Sequence, residues 1–285
     1  MKPQWYHEIS AIFGLFSNLF DSSESLRTAS REILINRTFR LMSSAASATE
    51  KPLLSLLSAT LVNSVPLSPE VRLLTLRVED GSPLAFLPGQ CIRVEQELDG
   101  KVVHLVYSIA SPPRADNCFE LCVKPGRKGS PADRLCATRV GAELRISRPQ
   151  GGFVVQQRGP ASLFLAAGTG IAPIRSMVHS LAGTGRHELC LIFGARSMES
   201  LFFHSEFLDL ASRHSDFRYV PVLSRPHAAW TGASGYVQHH LDGVSRPPDA
   251  RAYLCGPLAM VETASRILVE HGWPEEMVHF ERNGH

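Results

Sequence analysis

The chain has 285 residues, 44% of them hydrophobic and 20% charged, with 29 Lys and Arg against 27 Asp and Glu. That length suits one large or two ordinary domains, and a formal charge of +2 supplies no field for gathering a polyanion, which argues against a nucleic-acid partner. No apolar run reaches the roughly 18 residues of a membrane-spanning helix, and 21 Gly with 19 Pro is too little for a collagen-like or low-complexity chain.

In chain order, residues 1–52 stand apart as a leader. Ile9, Ile12, Phe13, Phe16, Leu19 and Phe20 fall at helical spacing, and Arg27, Arg31, Arg37 and Arg40 follow among Ser and Ala. Two readings stay open: an organelle address or membrane-surface anchor, or a disordered leader ahead of a start at Met42.

Residues 53–157 read as a first domain. Short β-prone runs over 56–65, 71–78, 91–95, 103–109 and 119–123 are separated by turn signals at 66–69, Asp80-Gly81, Pro88-Gly89, Asp99-Gly100 and Pro112-Pro113. A short helix ending near Val140 and a strand over 145–147 complete it. Regular short strands without long helices predict a sandwich or small antiparallel barrel. Tyr107 and Ser108 are neighbours at a strand end, so they project to opposite faces, one suited to covering a flat ring and the other to its polar edge. Gly126, Gly129 and Ser130 offer backbone N–H groups and a hydroxyl beside a helix start, a workable cradle for a diphosphate.

Residues 158–285 alternate strand and helix. Strands over 162–167, 189–193, 218–223 and 252–255 are interleaved with helices over 174–181, 199–212, 237–241 and 260–271, which predicts a doubly wound parallel sheet. Such sheets bind nucleotides beyond the carboxyl ends of their strands. Gly168-Thr169-Gly170-Ile171-Ala172-Pro173, Gly194-Ala195-Arg196, Ser224-Arg225 and Cys255-Gly256-Pro257 all fall at those ends. Arg196 and Arg225 offer guanidinium groups to a ribose 2′-phosphate, and no acid there offers itself to a 2′-hydroxyl, so the reading leans to NADPH over NADH.

The six cysteines, Cys91, Cys118, Cys122, Cys136, Cys190 and Cys255, are scattered. They match neither the paired spacing of a structural zinc site nor the tight run of an iron–sulfur cluster, so no metal is expected and a reduced, cytoplasmic protein is the default.

Taken together and in this order, Tyr107-Ser108, Gly126 to Ser130, Gly151-Gly152-Phe153, Gly168 to Pro173, Gly194-Ala195-Arg196, Cys255-Gly256-Pro257 and Glu281 resemble the ferredoxin–NADP reductase superfamily over roughly residues 53–285. The resemblance implies an antiparallel Greek-key FAD-binding barrel, then a doubly wound parallel-sheet domain for NADP, with NAD possible. It implies hydride passage between NAD(P)H and FAD, and electrons exchanged with a diffusible redox protein of the ferredoxin or flavodoxin class or with an oxygenase component. Carried over position by position, Tyr107 stacks on the isoalloxazine and Ser108 bonds near its N5. Val123 and Lys124 meet the ribityl or adenosine part through backbone, and Gly129 and Ser130 cradle the diphosphate. Gly168, Thr169 and Gly170 receive the nicotinamide-nucleotide diphosphate, Cys255 sits beside the nicotinamide, and Glu281 tunes proton supply near the flavin.

Two positions depart from the family pattern. The residue two before the Tyr, usually an Arg that pairs with the FAD diphosphate, is Leu105, and the Ser or Thr expected three before Leu135 is Ala132. Loss of one charge-assisted contact costs ~1.5–3 kcal/mol; His104 points to the wrong strand face, whereas Arg127 and Lys128 are placed to compensate. Three readings therefore stay open: a stand-alone reductase, an oxygenase reductase component or free-flavin reductase, and a non-catalytic nucleotide-binding sensor.

Overall fold

Short alternating runs of apolar residues build the first sheet, because every second side chain of a strand faces the same side. The computed structural model describes residues 56–79, 84–98, 100–156, 161–185 and 188–282, with only the backbone of Arg282. The leader over 1–52, the Asp80-Gly81 turn, Asp99 and the boundary between 157 and 158 lie outside the described residues. Strands β1 (Leu57–Ser68), β2 (Val71–Val78), β3 (Cys91–Leu98), β4 (Lys101–Ser108), β5 (Cys118–Val123) and β6 (Glu143–Ile146) pair antiparallel in the order β4-β3-β6-β1-β2-β5. A bridge between Ile109 and Leu121, and the Ala110 N–H donating to Glu120 O at 2.7 Å, join the two outer strands. The sheet thus curls into a barrel and leaves fewer open edges. Its interior holds Leu61, Leu74, Leu76, Ile92, Phe119 and Leu121, all fully buried, each contributing about 1.5–3 kcal/mol of apolar burial.

A short helix, α1 (Pro131–Cys136), follows β5 and buries Leu135. Ser130 caps it by accepting from Asp133 N, and Pro131 sits in the first turn, where its missing N–H costs nothing. The sequence suggested a helix running to Val140; the structure ends it at Cys136, and Gly141 turns the chain with φ of 92°.

The second sheet comprises β7 (Ala161–Ala167), β8 (Glu188–Ala195), β9 (Phe217–Leu223), β10 (Ala233–Ser234), β11 (Arg251–Gly256) and β12 (Val278–Arg282). Every pairing is parallel, in the order β10-β9-β8-β7-β11-β12. Helices α2 (Ile171–Leu181), α3 (His204–Arg213) and α4 (Leu258–Glu270) cover it on both faces. Along β7, Phe164 and Ala166 share a cluster with Met177 and Phe207 of α2 and α3. Leu163 and Leu165 share another with Val261 and Leu268 of α4. A strand buried on both sides is mostly apolar, which is why β7 runs unbroken in apolar residues from Leu163 to Ala167, after the buried Ser162. The chain winds from β7 through β8 and β9, then returns to place β11 on the other side of β7. That reversal between β7 and β11 is where open α/β sheets form their ligand crevice.

Some expected helices differ. Helix α2 starts at Ile171 rather than 174, and Gly168–Gly170 forms a 3-10 turn leading straight into it. The helix expected over 199–212 is two pieces, a 3-10 turn at Met198–Ser200 and then α3, broken where Phe203 adopts a left-handed φ of 59°. Residues Val237–His240 form a 3-10 turn in place of an α-helix. Strands β10 and β12 were not visible in the sequence pattern.

Candidate active site

A cleft of about 840 Å³ opens along the carboxyl ends of the parallel strands. Gly168 and Thr169 after β7, Arg196 after β8, Ser224 after β9 and Pro257 after β11 line its floor. Backbone bonds splay the two middle loops side by side: Ser224 N donates to Ala195 O and Arg225 N to Arg196 O, each at 2.9 Å. Arg196 and Arg225 are thereby held as neighbours, both exposed.

Two features of this cleft suit a dinucleotide. Gly168 has φ of 57° and, among the described residues, nothing within 4 Å of where a Cβ would project, so its open side faces the cleft. On the far wall, the Gln238 Oε1 is buried without a hydrogen-bond partner among the described residues, an acceptor left for a donor from outside the fold. Gly170 itself faces away from the cleft: a Cβ there would overlap the Cys255 carbonyl, so glycine is needed for the turn to seat against β11. Pro173 is likewise buried in the first turn of α2.

The barrel supplies the opposite lip. Ser68, Glu70 and Val71 from the β1–β2 turn, and Lys124 after β5, line the same cleft. Lys124 Nζ pairs with Glu70 Oε2 at 3.0 Å, and that bond, with the field of Lys124 and then of Arg196, holds the Glu70 carboxyl below its usual range. Tyr236 and Gln238 on the wall, and Glu70 on the lip, are cleft residues that sequence reasoning missed. The glycine at 235 and the aromatic after it were the available signal, obscured by assigning 237–241 to a helix.

The end of β4 meets β12 and β11. Ser108 Oγ donates to Glu281 Oε2 at 3.0 Å, and Cys255 Sγ lies 4.0 Å from the same oxygen. Burial raises the Glu281 carboxyl above its ordinary value, opposed by the Ser108 bond. Burial, and then the charge of Glu281, push the Cys255 thiol well up, so it stays a neutral thiol. Tyr107 takes the other face of the strand, half-buried with Leu105 against the barrel core, and burial keeps its phenol protonated. Alternation thus separates a flat aromatic face from a polar, proton-bearing edge, a geometry that suits a flavin ring.

The glycine turn before α1 is less open. Gly126 and Gly129 have φ of 71° and 79°, as a cradle of N–H groups requires, but Gly129 N donates to Asp133 Oδ2 at 2.7 Å. The Ser130 hydroxyl donates to Pro125 O at 2.8 Å and accepts from Asp133 N. Val123 is fully buried, with its carbonyl facing the Cys136 thiol.

The raised Glu281 carboxyl makes stability pH-dependent. A folded-state value above the unfolded one favours folding while the group is protonated, and that advantage is lost as pH rises through the folded value. Glu281→Gln cannot ionise, so it should gain stability over wild type towards about pH 8 and match it near pH 4. Thermal midpoints across that range test this, and a gap independent of pH would assign the effect to packing.

Two family models match the chain: an oxidoreductase FAD-binding domain over residues 58–155 and an oxidoreductase NAD-binding domain over 164–266. Ferredoxin–NADP reductase B of Sorangium cellulosum is 37% identical over 235 residues, covering 79% of this chain and 96% of that protein. The phenol 2-monooxygenase reductase component DmpP of Pseudomonas sp. strain CF600 is 31% identical over 227 residues, 76% of this chain but 63% of its own. Against several such longer relatives the chain spans only 62–64% of their length. Among solved structures, a ferredoxin NADP+ reductase from Neisseria gonorrhoeae with bound FAD and NADP superimposes with a TM-score of 0.70 at 20% identity, over 80% of this chain and 98% of that one, a likeness of fold. A barrel joined to a doubly wound sheet, a cleft at the strand reversal and these matches lead to one conclusion: the chain belongs to the ferredoxin–NADP reductase superfamily and is an NAD(P)H-dependent flavoprotein oxidoreductase that uses FAD.

Proposed function

We propose that this protein is a reductase that takes electrons from NADPH and delivers them to a separate redox protein of the ferredoxin or flavodoxin class. The observation that carries the reading is the Ser108–Glu281 bond at 3.0 Å beside Cys255, which brings the barrel strand of Tyr107 to the carboxyl edge of the nucleotide sheet. Bound FAD supplies the exchange between two-electron transfer at nicotinamide and one-electron transfer at a partner. The chain's own work is placement. In this reading Tyr107 covers one flavin face, Ser108 holds the ring's polar edge through its hydroxyl, and Glu281 is a carboxyl that burial raises above its ordinary value. Val123 and Lys124 present backbone to the ribityl or adenosine part. Gly168 and Thr169 hold the nucleotide diphosphate, Gln238 accepts from the nucleotide, and the buried neutral Cys255 excludes water where the nicotinamide would lie. We assign the FAD-binding part to residues 53–157 and the nucleotide-binding part to 158–285. Among the described residues no helix is long and apolar enough to cross a membrane.

The neighbouring exposed guanidiniums of Arg196 and Arg225 support a 2′-phosphate site. Arg225→Ala should raise the KM for NADPH about tenfold or more, the loss of one charge-assisted bond, and leave that for NADH unchanged. A matched rise for both nucleotides would make Arg225 a general contact.

A second reading, an oxygenase reductase component or a free-flavin reductase, is favoured by Leu105 and by the Asp133 carboxylate on Gly129 N, which together weaken the hold on a diphosphate. The deciding experiment is the visible spectrum of purified protein, followed by anaerobic NADPH or NADH. Stoichiometric flavin bleached fastest by NADPH supports the first reading. Colourless protein that bleaches added flavin supports the second, and no bleaching at all leaves a nucleotide-binding sensor.

A further inference from the structure

The most heavily bonded charged group on the described surface between the two sheets is Arg175, in the second turn of α2, five residues after Gly170. Its side chain is only 12% exposed. On the barrel side, Nη1 donates to Glu120 Oε2 at 2.6 Å and to the Ala110 carbonyl at 3.0 Å. On the other side, Nε and Nη2 donate to Glu206 of α3 at 2.7 and 3.1 Å. The guanidinium carbon lies 4.4 Å from the centre of the Phe203 ring. Phe203 holds a left-handed φ of 59° to place that ring, a conformation that costs energy for a residue with a Cβ. His179, one turn along α2, also contacts Glu206. One cation is thus enclosed by two carboxylates, a carbonyl and an aromatic face.

What the barrel side of this network holds is the strand end of the flavin site. Ala110 lies two residues after Ser108. Its N–H donates to Glu120 O, the N–H of Glu120 donates to Ser111 Oγ, and Ile109 N donates to Gln90 O at 2.9 Å. Segment 109–111 is therefore tied to β5, and through Arg175 to the helix whose preceding turn, Gly168–Gly170, is the floor of the nucleotide cleft. We propose that Arg175 is a positioning residue: it sets the separation and angle between the β4 end that carries Tyr107 and Ser108 and the turn that seats the nicotinamide nucleotide. It does not line the nucleotide cleft. The planar fork matters, because a guanidinium bonds two partners on opposite sides at once, which a point-charge ammonium does poorly. Transfer between two bound groups depends steeply on their approach, and displacement by about 1 Å from a distant change costs as much as ~10²-fold in rate.

The proposal rests on the reading that the cleft and β4 hold the two reacting cofactors, and wild type tests that first: if NADPH does not reduce its flavin, that reading fails whatever the variants do. Given that reduction, Arg175→Met should lower the limiting rate per bound flavin about 10–10²-fold with flavin content and the KM for NADPH within about twofold of wild type, and Arg175→Lys should recover part of the rate. Amide hydrogen exchange of the flavin-free and flavin-loaded protein supplies a readout apart from activity: segments 109–111 and 171–176 should lose protection in Arg175→Met. Glu120→Gln, which keeps an acceptor and removes its charge, should show the same pattern with a smaller loss, and it decides the matter if Arg175→Met does not fold. A limiting rate per flavin equal to wild type, or protection of 109–111 unchanged, overturns the proposal and leaves Arg175 as a strut for stability alone.

Discussion

Ser108→Ala is expected to slow flavin reduction by NADPH about 10²-fold, the usual cost of deleting one preorganised donor, while flavin content stays within about twofold. The hydroxyl that would be lost is the one bonded to Glu281 at 3.0 Å. Burial pushes the Glu281 carboxyl up, and the Ser108 bond pulls it down. A hydrogen bond donated to a carboxylate favours its charged form, so removing it lets burial act unopposed and raises the value further. The limb of the pH–rate profile that follows Glu281 should therefore move to higher pH in the variant. Tyr107, on the opposite face of β4, keeps its place against the barrel, which is why flavin retention is spared. Anaerobic stopped-flow reduction at several pH values gives both readouts. Limiting rates equal to wild type would remove Ser108 from the reaction, and a matching loss of bound flavin would recast it as a binding residue.

The parts of this fold that were legible in the sequence are those in which one side chain's environment repeats along an element. The apolar run from Leu163 to Ala167 in β7 predicts a strand buried on both faces, and the turn signals of the barrel mark its strands. The glycines after β7 announce a close approach, and the structure finds one at Gly170, though against Cys255 and not toward the cleft. What escaped is what tertiary partners decide. Strand β12 carries its polar residues inward, with His279 stacked on Tyr253 and Glu281 bonded to Ser108, and leaves Phe280 exposed. Its pattern is thus inverted from that of an ordinary half-buried strand, and no periodicity rule finds it. The break at Phe203 has a similar cause: its ring stacks on Arg175, a residue 28 positions earlier, and nothing local to 199–212 signals it. The Glu70–Lys124 pair on the cleft lip joins residues from two turns that only the closed barrel brings together. The Ser108–Glu281 contact spans 173 positions, and family resemblance named both residues where composition and spacing named neither as a pair.

Leu105→Arg should tighten FAD binding by about 1.5–3 kcal/mol, roughly tenfold to a hundredfold, the worth of one hydrogen-bonded ion contact. Leu105 shares a face of β4 with Tyr107, opposite Val94 of β3, and α1 lies against that strand. A diphosphate reaching the turn before α1 therefore meets apolar surface from β4. It also meets the Asp133 carboxylate, which already accepts from Gly129 N at 2.7 Å. Both features oppose an anion, one by withholding a cation and the other by competing for the N–H group. An arginine at 105 lays its aliphatic stem over the surface that Leu105 covers and extends its guanidinium beyond it, supplying the missing charge and drawing Asp133 away from Gly129. The gain should depend on phosphate. Riboflavin, which has none, should bind wild type and variant equally, whereas FAD should separate them. Equilibrium titrations followed by flavin fluorescence, run with both ligands, make the comparison. Equal tightening of riboflavin would trace the effect to the ring and not the diphosphate. No tightening of FAD would mean that another cation, Arg127 or Lys128 on the same turn, already fills the role that Leu105 leaves vacant.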